Sequence, residues 1–150
     1  MLRLAVLISG SGTDLQSIID HRNQINGEIA LVISNRKNAY GLQRAQDAGI
    51  KNLVIKNQDE LLNTLKEEKI DFIVLAGYLA ILGKELIDTY QNKIINIHPS
   101  LIPSFCGNGF YGLKVHEAAL ERGVKVTGAT VHFVNKITDG GPIIIQKAVK

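Results

Sequence analysis

Residues 2–22 decide the fold: Leu2-Arg3-Leu4-Ala5-Val6-Leu7-Ile8 is followed by Ser9-Gly10-Ser11-Gly12 and then by Thr13–Arg22. The first run is apolar and short enough to be a buried strand. The last range has apolar side chains at helical spacing, and these are Leu15, Ile18 and Ile19. The stretch therefore predicts a strand, a glycine turn and a helix, which is the repeating unit of α/β proteins.

The same alternation continues along the chain. Further strands are predicted at Ile29–Ser34, Leu53–Ile55, Phe72–Ala76 and Lys93–Ile97, and further helices at Gly41–Ala48, Asp59–Glu68 and Lys84–Tyr90. Strands that alternate with helices at such short separations predict a Rossmann-like, mostly parallel sheet with helices on both faces.

The pattern changes after a last predicted helix at Gly112–Arg122. Val126–Val134 and Pro142–Val149 both read as strands, and a short connection with an Asp-Gly-Gly sequence joins them. Such a connection favours a hairpin, so we expect an antiparallel pair at the C-terminal end of the sheet.

The composition indicates an ordinary globular domain. The chain has 150 residues, of which 45% are hydrophobic and 21% charged, with a net charge of +3 and a single cysteine. No apolar run approaches the length of a membrane span, and the positive charges form no cluster typical of nucleic-acid binding. We therefore expect one domain in the cytoplasm, without a disulfide, a signal peptide, a membrane segment or a nucleic-acid partner.

The glycine turn Ser9-Gly10-Ser11-Gly12 is typical of a phosphate site, because the amides at a helix N-terminus attract anions. It lacks the third glycine of the dinucleotide fingerprint, and Ser34-Asn35-Arg36 supplies no acidic residue after the second strand, which disfavours NAD. The alternative is a tight turn in which Ser11 or Thr13 caps the helix and no ligand binds.

A second polar group follows the fifth predicted strand. Asn96 and His98 alternate along it, so both side chains are expected on one side of the strand at its carboxyl end. An amide beside an imidazole suits a reaction in which a carbonyl oxygen becomes an oxyanion. An equally weighted alternative is that both side chains only satisfy backbone groups.

The other candidates for chemistry are weaker. His132 is expected to be packed within a strand, and His21 to face solvent. Cys106 has no evident base beside it, and no group of Cys and His has the spacing of a metal site, so we expect no metal.

Three separated motifs resemble those of the 10-formyltetrahydrofolate-dependent formyltransferases. They are Asn96-Ile97-His98-Pro99-Ser100-Leu101-Ile102-Pro103, the later Thr138-Asp139-Gly140-Gly141-Pro142, and the turn Ile8-Ser9-Gly10-Ser11-Gly12-Thr13-Asp14-Leu15. Ile102 replaces the usual second Leu, which is a volume-conserving change. The resemblance extends over essentially the whole chain.

The resemblance implies a formyl transfer from 10-formyltetrahydrofolate to the amine of glycinamide ribonucleotide, a step of purine biosynthesis. It implies that Asn96 and a protonated His98 hold the oxyanion of a tetrahedral intermediate, while Asp139 keeps His98 charged. The alternative for Asp139 is a plain turn residue, since Asp-Gly is common in hairpins. The implied partners are the two small-molecule substrates, and a homodimer is left open.

Binding residues are also implied by the resemblance. Gly12, Thr13 and Asp14 would hold the phosphoribosyl substrate, although the family usually has Asn where Asp14 stands. The folate would contact Leu79, Ala80, Ile81 and Leu82, together with Asn96 and the loop residues Asn135, Lys136, Ile137, Thr138 and Asp139. For the segment Leu79 to Leu82 the alternative is core packing, above all for Ile81 and Leu82.

Three alternatives remain. Two are other enzymes of the same family, and the third is a folate- or nucleotide-binding fragment without activity. Formyltetrahydrofolate hydrolase normally has an additional N-terminal domain, and methionyl-tRNA formyltransferase has an additional tRNA-binding domain. Members of the family also continue beyond the position of Lys150. We therefore expect a domain that keeps Asn96, His98 and Asp139 but has a weakened nucleotide site and an apolar sheet surface that is exposed or covered by a neighbouring chain.

Overall fold

The apolar run at the start of the chain forms the strand β1, Leu2–Ile8, which has a parallel neighbour on each side. The computed structural model describes residues 1–98, 127–135 and 143–149. Clustering of contacts divides the chain into two units, Met1–Ile94 and Ile95–Lys150.

The first unit alternates strands and helices as predicted. After β1 its elements are α1 Thr13–Asp20, a 3-10 turn Arg22–Gln24, β2 Gly27–Ser34, α2 Tyr40–Asp47, β3 Asn52–Val54, α3 Gln58–Glu67, β4 Phe72–Leu75 and α4 Lys84–Thr89. The parallel strands have the order β3-β2-β1-β4. Helix α1 contacts α2, and α3 contacts α4, which is consistent with a helical layer on each face.

The centre of this sheet is buried. In β1 every side chain from Ala5 to Ile8 is fully covered, and so are Leu31 and Ile33 of β2. A parallel sheet with helices on both faces needs such continuous apolar strands rather than alternating ones. The hydrophobic pattern of the sequence therefore decides both the strand positions and the class of sheet.

The chain enters β5, Ile94–His98, beside β4, where the Ile73 N–H donates to the Lys93 carbonyl at 2.8 Å. In the second unit β5 pairs with β6, Thr127–Phe133, and β6 pairs with β7, Ile143–Val149. Both pairings are antiparallel. The predicted antiparallel pair at the C-terminal end is thus confirmed, and the β5–β6 pairing adds a second one that was not predicted.

The ends of the elements differ from prediction by one or two residues. Helix α1 ends at Asp20 rather than Arg22, because the backbone at His21 leaves the helical region and a 3-10 turn follows. Strand β5 runs one residue later than predicted and includes His98. Helix α2 ends as predicted before Gly49, which has a φ of +74°.

Some predictions lie outside the described residues. These are the helix at Gly112–Arg122, the Asp-Gly-Gly connection and the position of Cys106. Within residues 1–98, 127–135 and 143–149, no helix is long and apolar enough to cross a membrane. The expectation of one formyltransferase domain without the family's C-terminal segment stays a prediction.

Candidate active site

In the first unit, the carboxyl ends of β1, β2 and β4 meet at one edge of the parallel sheet. Ser9, the first residue after β1, is only 2% exposed. Its hydroxyl donates to Asn35 Oδ1 after β2 at 2.6 Å and accepts from the N–H of Leu79 after β4 at 2.8 Å. One buried side chain therefore connects the three loops at the edge where α/β sheets bind their ligands.

Helix α1 begins at this edge without a capping side chain. Gly12 is the N-cap residue, with φ +76° and ψ 31°, and no side chain accepts a hydrogen bond from the first helical turn. Thr13 and Asp14 are exposed there. The alternative in which Ser11 or Thr13 caps the helix is therefore wrong, since a left-handed glycine occupies the cap position. An uncapped N-terminus keeps its partial positive charge available to an anion.

Helix α2 forms hydrogen bonds with the backbone of the glycine turn. The Gly10 carbonyl accepts from the Gly41 N–H at 3.1 Å, and the Ser11 carbonyl accepts from Arg44 Nε at 2.7 Å. The Arg44 guanidinium lies over the Tyr40 ring, 5.0 Å from its centroid. Because two consecutive carbonyls of the turn are bound on the α2 side, the turn is fixed before any ligand arrives.

In the second unit, Asn96 of β5 lies opposite His132 of β6. Asn96 Nδ2 is 3.3 Å from His132 Nε2, and His132 Nδ1 is 2.9 Å from the Phe133 carbonyl oxygen. A carbonyl can only accept and an amide nitrogen can only donate, so this arrangement fits a neutral imidazole with its proton on Nδ1. His132 is 2% exposed, which confirms the prediction that it is packed.

Asn96 has a second N–H that this contact does not use. His98 follows two residues later in β5, with its backbone in register with Thr130 of β6. Asp139 lies outside the described residues, as do Lys136, Ile137 and Thr138, so their predicted roles stay predictions. Asn135 is the second residue after β6 and is partly buried.

The four predicted folate residues after β4, Leu79 to Leu82, differ in their exposure to solvent. Leu79 is 40% exposed and Ile81 is 88% exposed, whereas Leu82 is 8% exposed. The alternative of core packing is therefore wrong for Ile81, whereas the buried side chain of Leu82 is consistent with it. Ala80, between the two exposed residues, is partly buried. Exposed apolar side chains beside backbone amides fit a flat heterocycle with polar edges.

A comparison with family models gives one decisive match. The model described as formyl transferase matches residues 2–150. The chain belongs to the formyl transferase family.

Relatives within the formyl transferase family are similar over nearly the whole chain. Phosphoribosylglycinamide formyltransferase of Haemophilus influenzae is 43% identical over 160 residues, covering 99% of this chain and 73% of that protein. The chloroplastic enzyme of the same name from Arabidopsis thaliana is 38% identical, covering 99% of this chain and 55% of that protein. The chain thus spans about half the length of the plant relative.

Solved structures in the formyl transferase family confirm the fold class. Glycinamide ribonucleotide transformylase 1 from Symbiobacterium toebii has a TM-score of 0.91 and 44% sequence identity, covering 99% of this chain and 73% of that chain. The predicted Rossmann-like α/β fold, mostly parallel with antiparallel strands at its C-terminal end, is therefore correct.

Sequence reasoning found the residues of the motifs but missed the residues that hold them in place. Ser9, Arg44 and His132 each fix a predicted site residue or its loop through a hydrogen bond. Only for His132 did the sequence carry a signal, since a polar residue in an apolar strand needs a partner. Of the histidines predicted to be inert, His21 is exposed as expected, and its Nδ1 lies 2.7 Å from the Ser17 carbonyl.

Proposed function

We propose that the protein containing this chain transfers the formyl group of 10-formyltetrahydrofolate to the amine of glycinamide ribonucleotide, in purine biosynthesis. The observation that carries the proposal is Asn96, which is oriented by His132 at the end of β5 two residues before His98. Relatives that share about 40% of the sequence carry the name phosphoribosylglycinamide formyltransferase.

The reaction is an acyl transfer between two nitrogens. A bond forms between the amine nitrogen of the nucleotide and the formyl carbon, and the bond from that carbon to the folate nitrogen breaks. The proton lost by the amine ends on the folate nitrogen, through water. The bonds formed and broken balance without a covalent intermediate between a substrate and the protein.

The residues of this chain act on the oxygen and on the proton. Asn96 donates its second N–H to the developing oxyanion, and a protonated His98 donates to the same oxygen. Asp139 holds His98 in its charged form, because a nearby carboxylate raises the pKa of an imidazole. These roles follow from the family motif.

Binding of the nucleotide is assigned to Gly12, Thr13 and Asp14. The uncapped start of α1 and the pre-set glycine turn support a phosphate there. Asp14 stands where the family usually has Asn, and a carboxylate facing the phosphate would weaken binding. Leu79, Ala80, Ile81 and Leu82 are assigned to the folate, together with Asn96 and Asn135 through Asp139, and the two exposed apolar side chains of the first group support this.

The remaining expectations stay predictions. Among the described residues no three His, Cys, Asp or Glu side chains form a group that could hold a metal ion, and this does not test the expected absence of metal. A cytoplasmic location, a homodimer and the absence of a nucleic-acid partner also stay predictions.

The assignment is tested by assaying the purified protein with 10-formyltetrahydrofolate, with and without glycinamide ribonucleotide. Formyl transfer that depends on the nucleotide supports the proposal. Deformylation without the nucleotide would indicate a hydrolase, and binding without turnover would indicate an inactive module.

The variant His98→Ala then tests the mechanism. We expect kcat to fall about 100-fold or more, because an oxyanion donor and a proton donor are lost together. Folate binding should change little. The control is His21→Ala, which removes an exposed histidine in the first unit. Wild-type turnover in His98→Ala would contradict the proposed mechanism.

A further inference from the structure

The segment Leu79–Leu82 is fixed at both ends by side chains from two other elements of the first unit. At its start, the Leu79 N–H donates to Ser9 Oγ at 2.8 Å. Directly after its end, the Gly83 N–H donates to Gln58 Oε1, also at 2.8 Å. The two amides that bracket the segment therefore both have a side-chain acceptor.

The contact at Ser9 is buried and oriented. The hydroxyl proton of Ser9 points to Asn35 Oδ1 at 2.6 Å, so the lone pairs of the same oxygen face the Leu79 N–H. With 2% exposure, Ser9 leaves no room for water to replace a lost partner. Removing a buried partner of this kind leaves the amide unsatisfied, which costs more than an exposed hydrogen bond.

The contact at Gln58 depends on the first turn of α3. Asn57 caps that helix by accepting from the Glu60 N–H at 3.0 Å, which fixes the backbone at Gln58. The approach is close, since a Cβ at Gly83 would lie 3.5 Å from the Gln58 Cβ. Gln58 also lies beside the hydroxyl of Tyr78, at the other end of the segment.

Between these two points, the segment presents apolar side chains to solvent. Ile81 is 88% exposed and Leu79 is 40% exposed, although their neighbour Leu82 is packed in the core. A loop that only connected β4 to α4 would not need both ends fixed around an exposed isoleucine. A surface that binds a ligand needs fixed ends, because a pre-set shape reduces the entropy lost on binding.

We propose that Ser9 and Gln58 are positioning residues for the formyl donor, because they fix the two ends of the segment that receives its ring system. The inference rests on the proposed function. It adds two residues, Ser9 and Gln58, to which the resemblance assigns no contact with a substrate. Ser9 is also the first residue of the glycine turn, whereas Gln58 belongs to α3. Gln58 therefore gives the cleaner test.

The test compares Gln58→Met, Gln58→Glu and the control Gln43→Met in the full protein. Gln43 is an exposed glutamine whose side chain donates to Asp47 of its own helix at 2.8 Å. We expect Gln58→Met to raise the KM for 10-formyltetrahydrofolate about threefold to tenfold and to leave the KM for glycinamide ribonucleotide within about twofold. Gln58→Glu keeps an oxygen acceptor for Gly83 and should restore the wild-type KM.

A second measurement tests the contact without turnover. We expect the Gly83 amide to exchange its hydrogen about tenfold faster in Gln58→Met than in the wild type, and to be restored in Gln58→Glu. If the wild type does not transfer formyl groups, the proposed function is wrong. Binding of tetrahydrofolate, measured by calorimetry, then still shows whether Gln58→Met weakens the folate site.

Two results would overturn the positioning role. One is an unchanged KM and an unchanged tetrahydrofolate affinity in Gln58→Met. The other is an equal rise of both KM values in Gln58→Met together with a lowered Tm, since that would show a general loss of structure rather than an effect on the donor site.

Discussion

Two tyrosines of the first unit have buried hydroxyl groups that differ in their hydrogen bonding. The Tyr90 hydroxyl donates to the Ile70 carbonyl at 3.1 Å, whereas the Tyr78 hydroxyl is buried with no partner that meets ordinary hydrogen-bond geometry among the described residues. A buried hydroxyl without a partner has lost its water and gained nothing in exchange. The same chemical group therefore has opposite effects on stability at the two positions.

This difference predicts the outcome of a matched pair of variants at pH 7. Tyr78→Phe should leave the free energy of unfolding unchanged or raise it by up to about 1 kcal/mol, because it removes an unsatisfied hydroxyl. Tyr90→Phe should lower it by about 1–2 kcal/mol, because the buried Ile70 carbonyl loses its donor. Denaturant unfolding of both variants checks the prediction, and equal losses would show that Tyr78 has a partner.

At the scale of elements, the glycine turn and α2 are in backbone contact. A Cβ added to Gly12 would lie 2.7 Å from the Gly41 Cα, and the φ of +76° at Gly12 is strained for any other residue. A Cβ added to Gly10, two residues earlier, would meet nothing within 4 Å. The turn therefore depends both on the glycine at position 12 and on its contact with α2.

The contact predicts different effects of alanine at these two positions. Gly12→Ala should lower the free energy of unfolding by about 2–4 kcal/mol, since backbone strain and overpacking add together. Gly10→Ala should change it by less than about 0.5 kcal/mol, as an exposed substitution without new contacts. Thermal unfolding separates the two, and a Gly12→Ala variant as stable as Gly10→Ala would mean that the α2 contact can relax.

At the scale of the whole molecule, the two tyrosines act together on the pH dependence of stability. Burial raises the pKa of the Tyr78 hydroxyl, an effect that the nearby Gln58 partly offsets. Burial also raises the pKa of the Tyr90 hydroxyl, and the negative charge of Asp71 raises it further. A group with a raised pKa in the folded state stabilises fully below its unfolded pKa and loses that contribution as the pH rises.

We therefore expect the protein to lose stability above about pH 10, the ordinary pKa of tyrosine. The double variant Tyr78→Phe, Tyr90→Phe should show a shallower decline between neutral and alkaline pH than the wild type. Unfolding by urea at several pH values measures both slopes. Identical slopes would show that neither hydroxyl resists ionisation in the folded state.

How much the sequence could predict also depends on scale. The strands and helices of the first unit follow from local hydrophobic pattern, so β1 was predicted to the residue and the other ends to within one or two. The glycine cap of α1 was not predicted, because Gly12 is in close contact with Gly41, which lies in another element. The pairing of Asn96 with His132 depends on the register of two strands far apart in the chain, which no local pattern contains.

The close approach of Gly12 and Gly41 has a consequence for sequence design. A Cβ at Gly41 would overlap Ile8 Cδ1 and lie 3.3 Å from the Gly12 Cα, so both positions lack space for a side chain while the two backbones stay this close. In a mutational library both positions should therefore strongly favour glycine, and combining substitutions at the two should not relieve the clash, because the backbone Cα atoms remain. A designer who wants a wider glycine turn must therefore move the start of α2, because no substitution within the turn alone can supply the space.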